Sequence, residues 1–252
     1  MDLQLAGRRV LVSGGTRGIG RAIVETFLDE GCAVSFCARN ADEVAATTAA
    51  LTDRGTVVGT VADVGDDDAV ASWVAGAAEQ LGGIDVVVAN VSALAIPDTD
   101  ENWAASLNVD VMGTVRLVRT AMPHLQRSTA AAIVAISSVT GREADFASGP
   151  YGTAKTAIVG YIQGLAFHLA GKNIRANTVS PGNTFFPGGV WDSIKQGDKE
   201  LYDSALALNP TGRMGTPQEM ANAVVFLASP RASFISGTNL VVDGALTRGI
   251  QL

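Results

Sequence analysis

The sequence predicts an α/β fold: one doubly wound parallel sheet of about seven strands with helices on both faces. Three observations point to it. Short runs rich in Val, Ile and Ala alternate with longer amphipathic stretches along the whole chain. The short runs read as continuous apolar segments, which suits strands covered on both faces. The first run passes through a glycine-rich turn into a helix, as a βαβ unit begins.

The strands are expected at 9–12, 33–37, 56–61, 84–89, 132–136, 175–179 and 239–242. The helices are expected at 18–30, 41–54, 66–81, 110–125, 151–170 and 217–228. Gly31 follows the first helix where a C-terminal glycine belongs. Asp66, Asp67 and Asp68 load a helix start with acids that complement its dipole. Thr216 and Pro217 form a cap followed by proline at the first helical position. The one long irregular stretch is 180–215, with a short helix expected near 191–208. A connection of that length in a compact domain is commonly a lid or binding loop. No linker or internal repeat interrupts the pattern, so residues 1–252 are expected to form one domain, with a substrate lid at about 183–215.

Composition narrows the function. Of the 252 residues, 47% are hydrophobic and 17% charged, so the chain can bury a substantial core. A net charge of −7 and a pI near 4.8 provide no global basic field, which argues against nucleic acid as the partner. A local basic pocket for a phosphorylated cofactor stays compatible with that balance. Cys32 and Cys37 flank one extended segment and cannot bridge to each other. They are expected as reduced thiols; no metal-binding spacing is present. No apolar run approaches the ~20 residues that span a bilayer. The first strand begins too early to leave room for a signal peptide. A cytoplasmic protein without a membrane partner is the expectation.

The first strand runs into Ser13-Gly14-Gly15-Thr16-Arg17-Gly18-Ile19-Gly20 and then a helix. Glycines permit a tight turn and close approach of backbone to a diphosphate. The helix start offers unpaired N–H groups and the positive end of its dipole. The position between strand and helix makes dinucleotide binding the preferred reading over a merely structural turn.

The spacing Gly14, Gly18, Gly20 resembles the short-chain dehydrogenase/reductase family, with Ser13 at that family's threonine position. The resemblance covers essentially the whole chain. It is greatest to the single-domain branch of about 250 residues that includes 3-oxoacyl-(acyl-carrier-protein) reductase-like members, and it implies a Rossmann-type fold. In that family Asp63 and Val64 after the third strand contact the adenine. Asn90 ends the fourth strand as the family's asparagine does, but Val91-Ser92 replace its usual Ala-Gly.

The second strand ends Phe36-Cys37-Ala38-Arg39-Asn40, without the acid that usually holds an unphosphorylated ribose. Arg39, with Arg17, suits a 2′-phosphate, since arginine grips phosphate by charge-assisted, multidentate hydrogen bonds. The cofactor expected is NADP(H), with NAD as the alternative should both arginines be ordinary surface residues. Asp42 and Glu43 lie just inside the next helix, where they favour its dipole.

Tyr151-Gly-Thr-Ala-Lys155 is the strongest chemical signal. Positions i and i+4 share a helix face, which sets an ammonium near a phenol. A free phenol loses its proton at about pH 10, and a nearby cation favours the phenolate. Tyr151 then serves as general acid toward a ketone or base toward an alcohol. Tyr-x-x-x-Lys alone occurs by chance in many helices. Ser137-Ser138 after the fifth strand adds weight, and the family's spacing selects Ser138 as the residue that orients the substrate oxygen. The resemblance also gives Lys155 a ribose contact, and it sets Pro181, Gly182 and Thr184 against the nicotinamide, with the register of Thr184 open by one or two positions. One departure stands out. The family commonly has an asparagine three residues before the glycine matched by Gly113, and this chain has Asp110. Its charge is expected to pair with Lys155 and offset part of the tyrosine activation. Asn108, two residues early, would face the other side of the helix.

Phe185, Phe186 and Trp191 surround a Pro-Gly-Gly hinge and suggest an apolar lid, although core or subunit contacts would use the same residues. Leu94, Ala95, Ile96 and Phe146 extend the apolar wall. The substrate expected is a small carbonyl or alcohol compound, apolar or neutral. His124 and His168 are read as structural. A homotetramer or homodimer follows from the resemblance alone. Two other readings are open: an idle dinucleotide sensor, which intact Ser138, Tyr151 and Lys155 oppose, and an epimerase or dehydratase. The latter is disfavoured because only a short tail follows Asp243-Gly244.

Overall fold

The structure, a computed structural model, describes residues 1–249. The last three residues of the expected domain and tail lie outside the described residues. Seven strands form one sheet in the order β3-β2-β1-β4-β5-β6-β7. They are β1 (Arg9–Ser13), β2 (Ala33–Ala38), β3 (Val57–Val61), β4 (Val86–Ala89), β5 (Ala131–Ile136), β6 (Ile174–Pro181) and β7 (Asn239–Val242). Every neighbouring pair is parallel. The strand order reverses between β1 and β4, and in such sheets ligands bind outside the carboxyl ends of the strands at that crevice.

Alternate side chains of each central strand feed two cores, which is why the strands carry no polar face. Leu11, Val87 and Ile133 pack under α3 (Asp67–Leu81), α5 (Gly113–Leu125) and α6 (Pro150–Leu169). Val10, Val12, Val86 and Val88 pack under α1 (Gly18–Asp29), α2 (Ala41–Leu51) and α9 (Pro217–Ala228). Burying each such Val, Leu or Ile side chain away from water contributes roughly 1.5–3 kcal/mol. Trp73 brings a polar atom into the first core and satisfies it by donating to Ser35 Oγ at 3.0 Å. Both cysteines are buried and free, and burial pushes each thiol up to about 12.

The helix expected at 110–125 begins ten residues earlier. Thr99 caps α4 (Asp100–Ala105) by accepting from Asn102 N–H at 3.3 Å, and Asp100 and Glu101 fill its first turn. A π-helical turn, Ser106–Met112, joins α4 to α5 without a break. The 180–215 stretch holds two helices in place of one, α7 (Val190–Gly197) and α8 (Lys199–Ala207). Asp198 separates them: its extended backbone ends α7, and its side chain caps α8 through Leu201 N–H.

Candidate active site

The loop after β1 is shaped by four glycines. Gly14 and Gly18 have φ of +73° and +54°, which L side chains rarely adopt. A β-carbon on Gly15 would lie 2.6 Å from Phe36 Cβ, and one on Gly20 would fall on the Gly14 carbonyl oxygen. Gly14 and Gly15 both donate to Cys37 O, tying the loop to β2. Arg17 precedes α1 without capping it, so no side chain takes the N–H groups of the first turn. This cradle fits a dinucleotide diphosphate. Gly15, which the family spacing does not single out, is required in this loop by its contact with Phe36.

Arg17 and Arg39 are exposed, and neither forms an ion pair with the described residues. Glu43 does more than favour the α2 dipole. Its Oε2 accepts from Thr16 Oγ1 at 2.9 Å, which brings a carboxylate to the glycine loop. Asn90 is spent on structure: its Nδ2 donates to Ser13 O at 3.0 Å and to Gly14 O at 3.2 Å. Ser13 Oγ in turn accepts from Asn90 N–H. Asp63 caps its own turn by accepting from Gly65 N–H at 2.8 Å. Val64 is buried against Gly113, where a β-carbon would come within 2.9 Å of it.

The expected Ser138, Tyr151 and Lys155 cluster lies beyond β5. Ser137 is committed to structure, since its hydroxyl donates to Lys155 O at 2.8 Å. Ser138 Oγ accepts from Thr140 N–H at 3.2 Å, which leaves its own hydrogen free. The turn that follows lies directly on α6. A β-carbon on Gly141 would come within 2.9 Å of the Lys155 carbonyl carbon, and one on Gly152 within 3.1 Å of Thr140. These two glycines let the Ser138 loop close on the helix that carries Tyr151 and Lys155. Lys155 is 2% exposed, with Nζ 5.5 Å from the Tyr151 ring centroid. Nζ donates to Ile136 O at 3.2 Å and lies 3.0 Å from Asp110 Oδ1. The expected pairing of Asp110 with Lys155 is present. Asn108 points elsewhere, donating to Gly65 O at 3.3 Å.

Pro181 ends β6 and is buried; Gly182 passes so close to Asp243 that a β-carbon would lie 2.7 Å from that residue's own. Thr184 is turned inward. Its Oγ1 donates to Gly182 O at 3.0 Å, and its backbone bridges to Gly215. Phe186 instead sits directly on Gly18, where any β-carbon would strike its ring. Sequence grouped Phe186 with the lid; the bare face of Gly18 was the signal that could have put it over the glycine loop. Trp191 meets Phe146 edge to face with centroids 6.0 Å apart, and Lys195 lies over the Phe185 and Tyr202 rings.

A hollow of about 520 Å³ lies at the opposite end of the sheet, lined by Arg9, Glu79, Gly82, His124 and Arg127 among others. Its cations are already engaged. Arg9 binds Asp85 and Gly82 O, and Arg127 lies 2.9 Å from His124 Nδ1. Burial, with the Arg127 charge, pushes His124 down and favours the neutral ring beside that guanidinium. Among the described residues, no three His, Cys, Asp or Glu side chains are placed to hold a metal, and no helix is long and apolar enough to cross a membrane.

Residues 14–247 match a family model described as enoyl-(acyl carrier protein) reductase. The chain is 42% identical to isoepoxydon dehydrogenase of Penicillium expansum, covering 98% of this chain and 97% of that protein. It resembles an NADPH-bound short chain oxidoreductase from Pseudomonas aeruginosa PAO1, described as containing an atypical catalytic center. The TM-score is 0.89 at 30% identity, over 97% of this chain and 99% of that one. A short chain dehydrogenase from Burkholderia cenocepacia J2315 in complex with NADP gives 0.88 at 29%, over 96% and 99%.

Proposed function

The chain belongs to the short-chain dehydrogenase/reductase family, and from that premise we propose that it interconverts a ketone and a secondary alcohol with NADP(H), using Tyr151 as the proton carrier. Action on CH–OH or C=O groups comes with the family. The single observation that carries the residue assignment is Lys155, buried beside the Tyr151 ring on a helix against which Gly141 presses the Ser138 loop.

Bound nicotinamide supplies a hydride in reduction and takes one in oxidation. Tyr151 gives its proton to the carbonyl oxygen and recovers it in the reverse direction, so one hydride and one proton balance each turnover. Ser138, already accepting from Thr140, donates its hydrogen to the same oxygen and holds it. Lys155 donates to Ile136 O and lies against Asp110, which leaves ammonium hydrogens for the Tyr151 side, where they would hold a bound cofactor's ribose. The glycine loop, Ile19, Asp63, Val64, Asn90 and the Pro181–Thr184 turn line the cofactor path, with Asn90 acting through Ser13 and Gly14. The 183–215 segment of a single 1–252 domain serves as the lid. Phe185, Phe186 and Trp191 favour an apolar or neutral substrate, and kinship with isoepoxydon dehydrogenase makes isoepoxydon the first compound to test. A cytoplasmic homotetramer or homodimer belongs to the same reading.

Arg17 and Arg39 support NADP(H), as do the NADPH-bound and NADP-bound neighbours. One observation favours NAD instead: the Glu43 carboxylate at Thr16 could accept from ribose hydroxyls and would repel a 2′-phosphate. Fluorescence titration of NADPH against NADH, repeated with Arg39→Ala, decides between them. Tighter NADPH binding that the substitution abolishes supports NADP(H); equal or tighter NADH binding moves an NAD-linked alcohol dehydrogenase to first place.

A further inference from the structure

Asp110 has no exposed surface, and its two oxygens have different tasks. Oδ2 accepts from Ala93 N–H at 2.9 Å, which fixes the carboxylate plane. Oδ1 faces Lys155 Nζ at 3.0 Å and has no aligned hydrogen bond, so charge proximity is its whole interaction. The π-helical turn widens the helix at this point and delivers the carboxylate inward, while Asp110 O accepts from Thr114 Oγ1 at 2.7 Å. A pair sealed from water is little screened, so its charges reach the next ionisable group.

We infer that Asp110 is a positioning residue that holds Lys155 Nζ and, by cancelling part of the ammonium field, sets the pH at which Tyr151 releases its proton. This rests on the acid/base reading of Tyr151 given above. Other charges on the surrounding segments are poor rivals. Asp100 and Glu101 on α4, and Arg142, Glu143 and Asp145 after β5, are all exposed. Asp145 is bonded to Thr140 and Ala147. On β6, Arg175 is spent on carbonyls at the end of α9. On α6 itself, His168 lies more than three turns beyond Lys155.

Tyrosinate absorbance followed against pH tests the inference without any substrate. Subtracting the Tyr151→Phe counterpart from the native chain and from Asp110→Asn isolates Tyr151 from Tyr161 and Tyr202. The expected midpoint falls by about one pH unit on neutralising Asp110. Asp110→Ser, which removes the same charge with a different packing cost, should move it the same way. A merely structural role would lower the thermal midpoint and leave this titration in place. An unchanged or raised midpoint in the neutral variants that fold overturns the inference. A lowered midpoint together with dehydrogenase activity that survives Tyr151→Phe upholds the charge coupling and rejects the acid/base reading instead.

Discussion

The two ends of the parallel sheet each hold a buried carboxylate facing a cation, and they treat it differently. At the amino end, Asp85 accepts from Arg9 Nε and Nη2, both at 2.8 Å, from Arg9 N–H at 3.0 Å and from Ser128 Oγ at 2.6 Å. Burial alone would push that carboxyl up, but the hydrogen bonds and the Arg9 charge outweigh it and hold it below the usual carboxylate range. At the carboxyl end, Asp110 has one N–H and one ammonium. A saturated carboxylate is an anchor; an under-satisfied one still answers to changes around it. The 520 Å³ hollow lies at the anchored end, where its cations are already engaged. What marks the carboxyl end, among the described residues, is unspent bonding capacity: a Ser138 hydrogen, an uncapped helix start, and Arg17 and Arg39 without an ion pair.

The sharpest contrast should come from one substitution at each end. Tyr151→Phe removes the proposed proton carrier and is expected to lower turnover by about 10³-fold with the thermal midpoint unchanged. Asp85→Ala leaves Arg9 without its partner and is expected to cost about 2 kcal/mol of stability. That is less than a fully sealed pair would lose, because the Arg9 side chain is 31% exposed. The folded fraction should keep its native kcat. A loss of kcat in Asp85→Ala at unchanged stability would erase the division between the two ends.

Acid separates them further. Asp85 has a depressed folded value, so its stabilisation is fully present above the unfolded carboxylate value of about pH 4 and is lost as pH falls through the lower folded one. Urea unfolding at neutral pH and at about pH 3 should therefore show a steeper loss for the native chain than for Asp85→Asn. Equal slopes would mean that Arg9 does not hold Asp85 ionised.

Most of the sheet could be read from sequence, because apolar runs and caps are local signals, while the Arg9–Asp85 pair could not. Thr216-Pro217 and Gly31 mark their boundaries as expected: Gly31 takes φ of +77°, and Thr216 forms a full capping box with Glu219. What escaped depends on contacts between distant segments. α4 was missed although Thr99-Asp100-Glu101 carries a cap and an acidic first turn, because its face has few apolar residues to set a period. No sequence rule foretells a π-helical turn at 106–112. The Asp110–Lys155 pair was anticipated because Gly113 fixed the register, and Gly113 does so physically by lying against Val64. Thr184 and Phe186 sit two residues apart on one hinge, and only packing on Gly18 tells which of them covers the glycine loop.

The smallest expected effect lies where the carboxyl end has opposing charges side by side. On the proposed reading Arg39 and Arg17 would attract a 2′-phosphate, while Glu43, hydrogen-bonded to Thr16, would repel it and could accept from ribose hydroxyls. All of these groups are near the surface, where salt and water weaken each interaction to about 1 kcal/mol or less. Glu43→Gln keeps a hydrogen-bond acceptor for Thr16 and removes only the charge, so the loop should stay in place. NADPH should then bind a few-fold tighter and NADH about as before, with the gain fading as ionic strength rises. Weaker binding of NADH with no gain for NADPH would mean that Glu43 holds the ribose directly. The carboxyl end would then be tuned for the unphosphorylated cofactor despite its two arginines.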